Sequence, residues 1–288
     1  MTSVTVLERI SIVTPLAVRL RDEATLGFVS GALAVAVHPQ GVPELARNGI
    51  VNRAGIFVFR NLPGLAGLER GSGDAAYWAT ETPRFDFVLA VSDPAGRFLP
   101  WSLPVKLPQR SLLGLGLASP LTSPLQVQTG GETAFLPLFS AASRPVPEGM
   151  GGLRTTLWDA DRPAAWALVE AKAGGERSVA GLADAQGRVM LPLPYPKPAA
   201  TLGSPLGGGG PLTRQSWPVA FTVRYRRRTP APQIPDLADV LTQPPATAWQ
   251  ETSRTNPLTS ATLRFGRELV LVSRADGGAV SSTLLITP

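Results

Sequence analysis

Proline falls 29 times in these 288 residues and glycine another 29, and both are spread along the whole length. A proline inside a helix costs about 3 kcal/mol and removes a backbone donor. A chain broken this often leaves no room for long helices. Between the breaks stand short apolar runs, many with bulky residues at alternate positions, the pattern of a half-buried strand. Only 17% of residues are charged, below the roughly 25% of an average soluble domain. The length suits one large domain or two ordinary ones, at about 100–200 residues each. The expectation is an all-β fold with one short helix in the C-terminal third.

Individual runs carry this expectation. In Gly31–His38, Leu33, Val35 and Val37 face one way and Ala32, Ala34 and Ala36 the other. Thr14–Arg21, Arg53–Asn61, Phe85–Ser92 and Phe98–Leu107 read as further strands, the last confined to a sheet edge by Pro100 and Pro104. Phe135–Phe139, Leu153–Asp159, Arg177–Ala183 and Val189–Leu193 follow. Ala165–Ala173 suits helix or strand by propensity, and its flanking Pro163 and Gly174-Gly175 favour strand. Trp217–Arg226 places Val219, Phe221, Val223 and Tyr225 on one face. Thr262–Phe265, Glu268–Ser273 and Ser282–Thr287 close the chain. The helix is read over 235–242, started by Pro235 and Asp236 and stopped by Pro244-Pro245.

The residue inventory excludes several chemistries. With no cysteine there is no disulfide framework, thiolate site or cysteine nucleophile, and the single histidine, His38, cannot build a multi-histidine centre. No Gly-x-Ser-x-Gly elbow and no phosphate-binding glycine motif between strand and helix is present. Asp159 and Asp161 are the best-placed carboxylate pair, but Trp158-Asp-x-Asp-Arg-Pro163 reads as a strand entering an Asx-type turn. The Gly207–Gly210 run reads as a flexible loop. The expectation is a protein that is not an enzyme and has no cofactor or metal. Nothing approaches ~20 unbroken apolar residues, so no membrane insertion is expected. Glu8 and Arg9 stand where a signal peptide needs an apolar core, so assembly in the cytoplasm is expected.

Two features remain. Asp93-Pro-Ala-Gly-Arg97 and Asp184-Ala-Gln-Gly-Arg188 share an Asp-x-x-Gly-Arg turn between apolar runs. Two readings stay open: convergence on good turn chemistry, or one such turn in each of two related sandwiches. Arginine dominates the basic residues, with lysine only at Lys106, Lys172 and Lys197. Its densest cluster is Arg224, Arg226, Arg227 and Arg228, a solvated strand end or a docking patch for an acidic protein surface. A strand-borne patch without interleaved aromatics is thin support for nucleic acid, so none is expected.

Arg19–Phe28 (RLRDEATLGF), Arg53–Leu65 (RAGIFVFRNLPGL) and Asp93–Pro100 (DPAGRFLP) together resemble the carboxypeptidase-regulatory-like, transthyretin-type β-sandwich. More narrowly, with Pro235–Pro245 (PDLADVLTQPP) and Leu263–Leu271 (LRFGRELVL), the chain resembles proteins encoded in contractile injection system clusters, relatives of phage tails. The resemblance implies immunoglobulin- or transthyretin-like sandwiches and a structural role in the cap, terminal adaptor or baseplate of a tail-like particle. Implied partners are the other subunits, sheath, tube, cap or baseplate proteins, in a symmetric ring that is released or anchored. The expected layout is an N-terminal sandwich at 1–110, a Pro/Gly/Leu-rich linker or partner-contacting segment at 111–150, and a C-terminal sandwich at 151–288. Leu113, Leu115 and Leu117 join the four arginines as contact candidates. The alternative is a carbohydrate-binding module using Trp78, Trp101, Trp158, Trp166, Trp217 and Trp249.

Overall fold

The computed structural model describes residues 14–69, 84–108, 135–197, 215–275 and 278–288. The chain is all-β among these residues, and its contacts divide it into two units. One takes in the residues up to Leu20, Phe28–Val91 and Ser102–Leu136. The other takes in Arg21–Gly27, Ser92–Trp101 and Pro137–Pro288, so two early pieces of chain count with the C-terminal unit. No helix of the described residues is long and apolar enough to cross a membrane.

The first strands are β1 (Leu16–Val18), β2 (Leu20–Asp22), β3 (Ala34–Pro39), β4 (Arg47–Asn48), β5 (Ile50–Val51) and β6 (Phe57–Phe59). A single helical turn, α1 (Ala66–Glu69), precedes β7 (Phe85–Ser92), β8 (Trp101–Leu107) and β9 (Leu136–Leu138). In the N-terminal unit β1-β6-β5 form one sheet and β4-β3-β7-β8 another. The alternation read in β3 holds, with Val35 and Val37 buried and Ala34 exposed. Pro104 is exposed within β8, the last strand of its sheet among the described residues, the kind of position where proline is tolerated. The segment Arg47–Val51 passes from one sheet to the other at Gly49, where a Cβ would stand 3.0 Å from the Phe59 ring. β6 is followed by the Leu62-Pro63-Gly64 corner, with Gly64 at a φ of +77°.

The C-terminal unit is built around β10 (Met150–Asp159). After it come β11 (Arg162–Pro163), β12 (Leu168–Ala173), β13 (Val179–Leu182), β14 (Arg188–Pro194) and β15 (Ser216–Arg224). The short helix α2 (Leu237–Leu241), β16 (Pro245–Ala248), β17 (Ser260–Arg264), β18 (Leu269–Leu271) and β19 (Leu284–Thr287) complete it. One edge of β10 carries β14 and then β11, both antiparallel. The other edge carries β18 and then β19, both parallel, so two short strands share a single neighbour. A second layer, continuous with the first through the pairing of β16 with β19, runs β13-β12-β15, with β16 and β17 following one another along the far edge of β15. Both layers face one core. Leu153, Leu157, Leu191, Leu284 and Ile286 come from the first, and Val169, Val219, Phe221 and Val223 from the second. Fully burying each such side chain is worth about 1.5–3 kcal/mol. That is the β-sandwich character the alternating runs imply.

Between β18 and β19 the chain leaves the edge of β10, and Ser273 holds the two ends together. Its fully buried Oγ donates to Trp249 O at 2.7 Å and accepts from Leu285 N at 2.9 Å. Ala165–Ala173 is strand only from Leu168. Before it lies a buried turn in which Trp166 has a φ of +63° and donates from Nε1 to Pro232 O at 2.8 Å. The α2 helix starts where expected: Asp236 Oδ1 accepts from Ala238 N at 2.8 Å, and Leu237, Val240 and Leu241 are buried.

Both Asp-x-x-Gly-Arg segments fold into the same device. Asp93 accepts from Ala95 N (3.1 Å), Arg97 N (2.9 Å) and Arg97 Nε (2.9 Å), with Gly96 at a φ of +66°. Asp184 accepts from Gln186 N (2.9 Å), Arg188 N (2.9 Å) and Arg188 Nε (2.8 Å), with Gly187 at +76°. One carboxylate thus caps two backbone donors and holds one guanidinium. Burial pushes the Asp93 carboxyl up, but the Arg97 and backbone donors outweigh it and hold it below the usual range. Both turns lie in the C-terminal unit, so the pattern does not mark one turn per unit, and local turn chemistry accounts for it.

Candidate interaction surface

The arginine cluster begins at the end of β15 and runs toward α2. Tyr225 N donates to Pro244 O, which turns Tyr225 into the core and sends Arg226–Arg228 past the helix. Each arginine meets a carboxylate of its own unit. Arg227 grips Asp159, at the end of β10, with Nε and Nη2 at 2.6 and 2.7 Å. Arg226 Nη1 and Arg228 Nε reach the two oxygens of Asp239 at 2.6 and 2.7 Å. Arg224 Nε lies 3.6 Å from Glu170 on the neighbouring β12. Four positive charges therefore face three carboxylates of the same unit, and what reads in sequence as a bare basic patch is largely neutralised.

Burial does not treat these pairs alike. Asp159 is only 3% exposed, while the Arg227 side chain keeps 48% of its surface in water. The bond to Asp159 raises the Arg227 guanidinium further above its ordinary value. Burial raises the Glu170 carboxyl, and Arg224 opposes this without cancelling it. Tyr225 is pushed up by burial and then by the charge of Asp159. Replacing Arg227 by glutamate would set a like charge against a buried carboxylate, so such a variant disturbs the fold as well as the surface.

A residue that sequence reasoning passed over organises this corner. Gln243, 2% exposed, accepts from Arg226 N at 2.9 Å and Arg228 Nη1 at 3.2 Å through Oε1. Its Nε2 donates to Trp166 O and Val240 O, both at 2.9 Å. The glutamine ties the arginine strand, the helix and the buried Trp166 turn together. Its place just before Pro244-Pro245 is the one local cue, since a helix stopped there leaves carbonyls to be capped.

The remaining sequence candidates separate. Asp161 is 82% exposed at its side chain while Asp159 is buried on Arg227, so they form no facing carboxylate pair. Among the described residues no group of three His, Asp or Glu could hold a metal ion. His38 closes β3 with Nδ1 donating to Pro39 O at 2.8 Å. Trp101 and Trp166 are buried; Trp158, Trp217 and Trp249 are half-buried. Trp217 joins Tyr195 and Phe265 in an aromatic group, with centroids 5.5 and 4.9 Å from Tyr195 and planes tilted by 42° and 40°. Leu113, Leu115, Leu117, Trp78 and the Gly207–Gly210 run lie outside the described residues. On the outer face of β10 and β14 a groove of about 430 Å³ is lined by Leu99, Ser143, Arg154, Asp184, Arg188 and Val270, among others. Its charged groups are already engaged: Arg154 with Glu268 and Ala142 O, Arg188 with Asp184.

No protein-family model matches this chain, and no curated protein does. A solved structure, the Bacillus anthracis TIE protein, aligns with 94% of this chain at 13% identity and a TM-score of 0.22. The chain spans 33% of that protein's length, and a superposition this loose carries no argument about fold or function.

Proposed function

We propose that this protein is a non-catalytic assembly component of a contractile phage tail-like particle, serving as a cap, terminal adaptor or baseplate accessory. The observation that carries this reading is the use made of the polar groups. Asp93, Asp184, Asp159, Asp239 and Gln243 each hold a turn, a strand end or a helix in place. A scaffold stapled in this way suits a subunit whose task is to keep its shape among neighbours. The particle itself comes from the resemblance of Pro235–Pro245 and Leu263–Leu271, and both stretches lie in the stapled unit. The contact candidates are the exposed sides of Arg226 and Arg227, with Leu113, Leu115 and Leu117 on sequence grounds.

The test is co-sedimentation. A tagged chain expressed with its neighbouring genes should travel with sheath and tube in a purified particle fraction. Recovery only in the unassembled fraction would refute the assignment. The carbohydrate-binding alternative draws on the Tyr195, Trp217 and Phe265 group. Rings tilted by about 40° give no common plane for a sugar to stack on, so the assembly reading stands first. A glycan array on the isolated protein separates the two.

A further inference from the structure

The C-terminal unit has a strand edge that no described residue pairs with. Among the described residues β17 pairs with β15 along one edge only, and β18 pairs only with β10. The alternation of the β15–β17 ladder can be read from its two ends, where Phe221 N donates to Thr259 O and Phe265 N donates to Gln215 O. Thr259, Ala261, Leu263 and Phe265 therefore bond to β15. By the same alternation Ser260 and Thr262 turn their N–H and C=O groups away from it. On the core side of this edge lies a groove of about 350 Å³. Leu258, Ala261, Leu269 and Val270 supply apolar lining, and Glu251 and Arg274 line it as well. Leu258, Ala261 and Leu269 are only partly buried against the core, and Val270 and Val280 are 58% and 69% exposed.

A free edge with outward main-chain groups, next to a groove that takes alternate side chains, is the arrangement that accepts an added strand. Charge indicates what kind. Arg264, Arg267 and Arg274 are exposed around it, and none is in an ion pair with any described residue. The arginines of the 224–228 cluster, by contrast, are matched by carboxylates. A second copy of β17 would bring its own Arg264 and Arg267 to this edge, and like charges across a pair are unfavourable.

We propose that the free edge of β17 binds an extended segment of another polypeptide, with aliphatic residues at alternate positions and carboxylates between them. The segment adds as a strand. Its main chain bonds Ser260 and Thr262, its aliphatic side chains enter the groove over Ala261 and Leu269, and its carboxylates meet Arg264, Arg267 and Arg274. The site does not depend on the tail-like particle: failure to co-sediment would refute that assignment and leave this edge untouched.

The test titrates the full chain into a blocked, fluorescent peptide of alternating valine and glutamate and follows anisotropy. Saturable binding is expected, together with slowed amide exchange at Ser260 and Thr262. The same peptide N-methylated on alternate amides should not bind, because its strand donors are gone. Thr262→Pro removes only an outward N–H, which an edge strand tolerates, and should weaken binding about tenfold. The double variant Arg264→Glu/Arg267→Glu changes exposed side chains that are in no ion pair with a described residue, and should favour a valine–lysine peptide over the valine–glutamate one. Absence of saturable binding to the unmodified chain, or equal binding of the N-methylated peptide, overturns the proposal.

Discussion

Gly96 and Gly187 occupy the same place in two copies of one turn, and replacing each by alanine separates two causes of glycine use. Both sit in the left-handed region, at φ of +66° and +76°, where a Cβ costs about 1–2 kcal/mol. The smaller conformational freedom of alanine in the unfolded chain returns about 0.4–1 kcal/mol. Gly96 has nothing within 4 Å of where its Cβ would stand, so Gly96→Ala should cost only about 1 kcal/mol. Gly187 differs. Its Cβ would stand 2.4 Å from the backbone oxygen of Leu157 and 3.3 Å from Ala164 N.

That oxygen cannot yield cheaply. It accepts from Ala164 N at 2.9 Å, and Leu157 N donates to Gly187 O at 2.8 Å. Leu157 and Ala164 are both fully buried. Moving the strand apart loosens two buried backbone bonds, at about 1–3 kcal/mol for each group left unpaired. Gly187→Ala should therefore cost about 3–5 kcal/mol in all. Urea unfolding followed by the fluorescence of the buried Trp101 and Trp166 measures both variants, and unchanged m-values license the comparison. Asparagine refines it, because it tolerates the left-handed conformation. Gly96→Asn should be within about 0.5 kcal/mol of the parent, while Gly187→Asn keeps the clash and stays costly. If Gly187→Ala proved no worse than Gly96→Ala, the contact with the β10 backbone would not be what selects glycine there.

Three other perturbations test separate parts of the fold. Gln243→Leu leaves Trp166 O, Val240 O and Arg226 N without their partner; a loss of about 2–4 kcal/mol in the same urea assay is expected, and a neutral result would deny the clamp. Ser273→Ala strips a partner from Trp249 O and Leu285 N. A loss of about 1–3 kcal/mol should come with faster amide exchange at Leu285, and an unchanged rate there would count against the serine's role in joining β18 to β19. The third concerns Glu170, whose carboxyl burial raises above its ordinary 4.5. A raised acid favours the protonated fold, so its contribution is present below pH 4.5 and lost as pH rises through the folded value. Glu170→Gln should thus melt higher than the parent at pH 7 and lose that advantage in acid; a lower melting point at pH 7 would mean the contact with Arg224 outweighs burial.

Much of the secondary structure was legible because strand alternation and turn chemistry are local. Phe85–Ser92 is strand over its whole predicted length, and Pro104 lies on an edge strand. The short strands β4, β5, β11 and β16 were not legible. Two to four residues carry no period, and Pro245, read as a helix stop, also begins β16. The arginine cluster was visible as a run of charge. Its partners were not, because Asp159 lies 68 positions from Arg227 and nothing near the run announces it.

Sequence by itself determined what a few neighbouring residues can complete. It set the Asp-x-x-Gly-Arg turns and the Asp236 cap, since their donors and acceptors lie within five positions of each other, and the alternating faces of β3 and β15, since successive side chains on a strand point to opposite sides. Tertiary structure alone decided which edge of β10 receives β18 and β19, whether the clustered arginines meet water or carboxylates, and why Gly187 differs from Gly96. The physical reason is one of range. A hydrogen bond closed inside a turn is fixed by chain geometry, whereas a bond across the sandwich exists only after the core has drawn distant strands together.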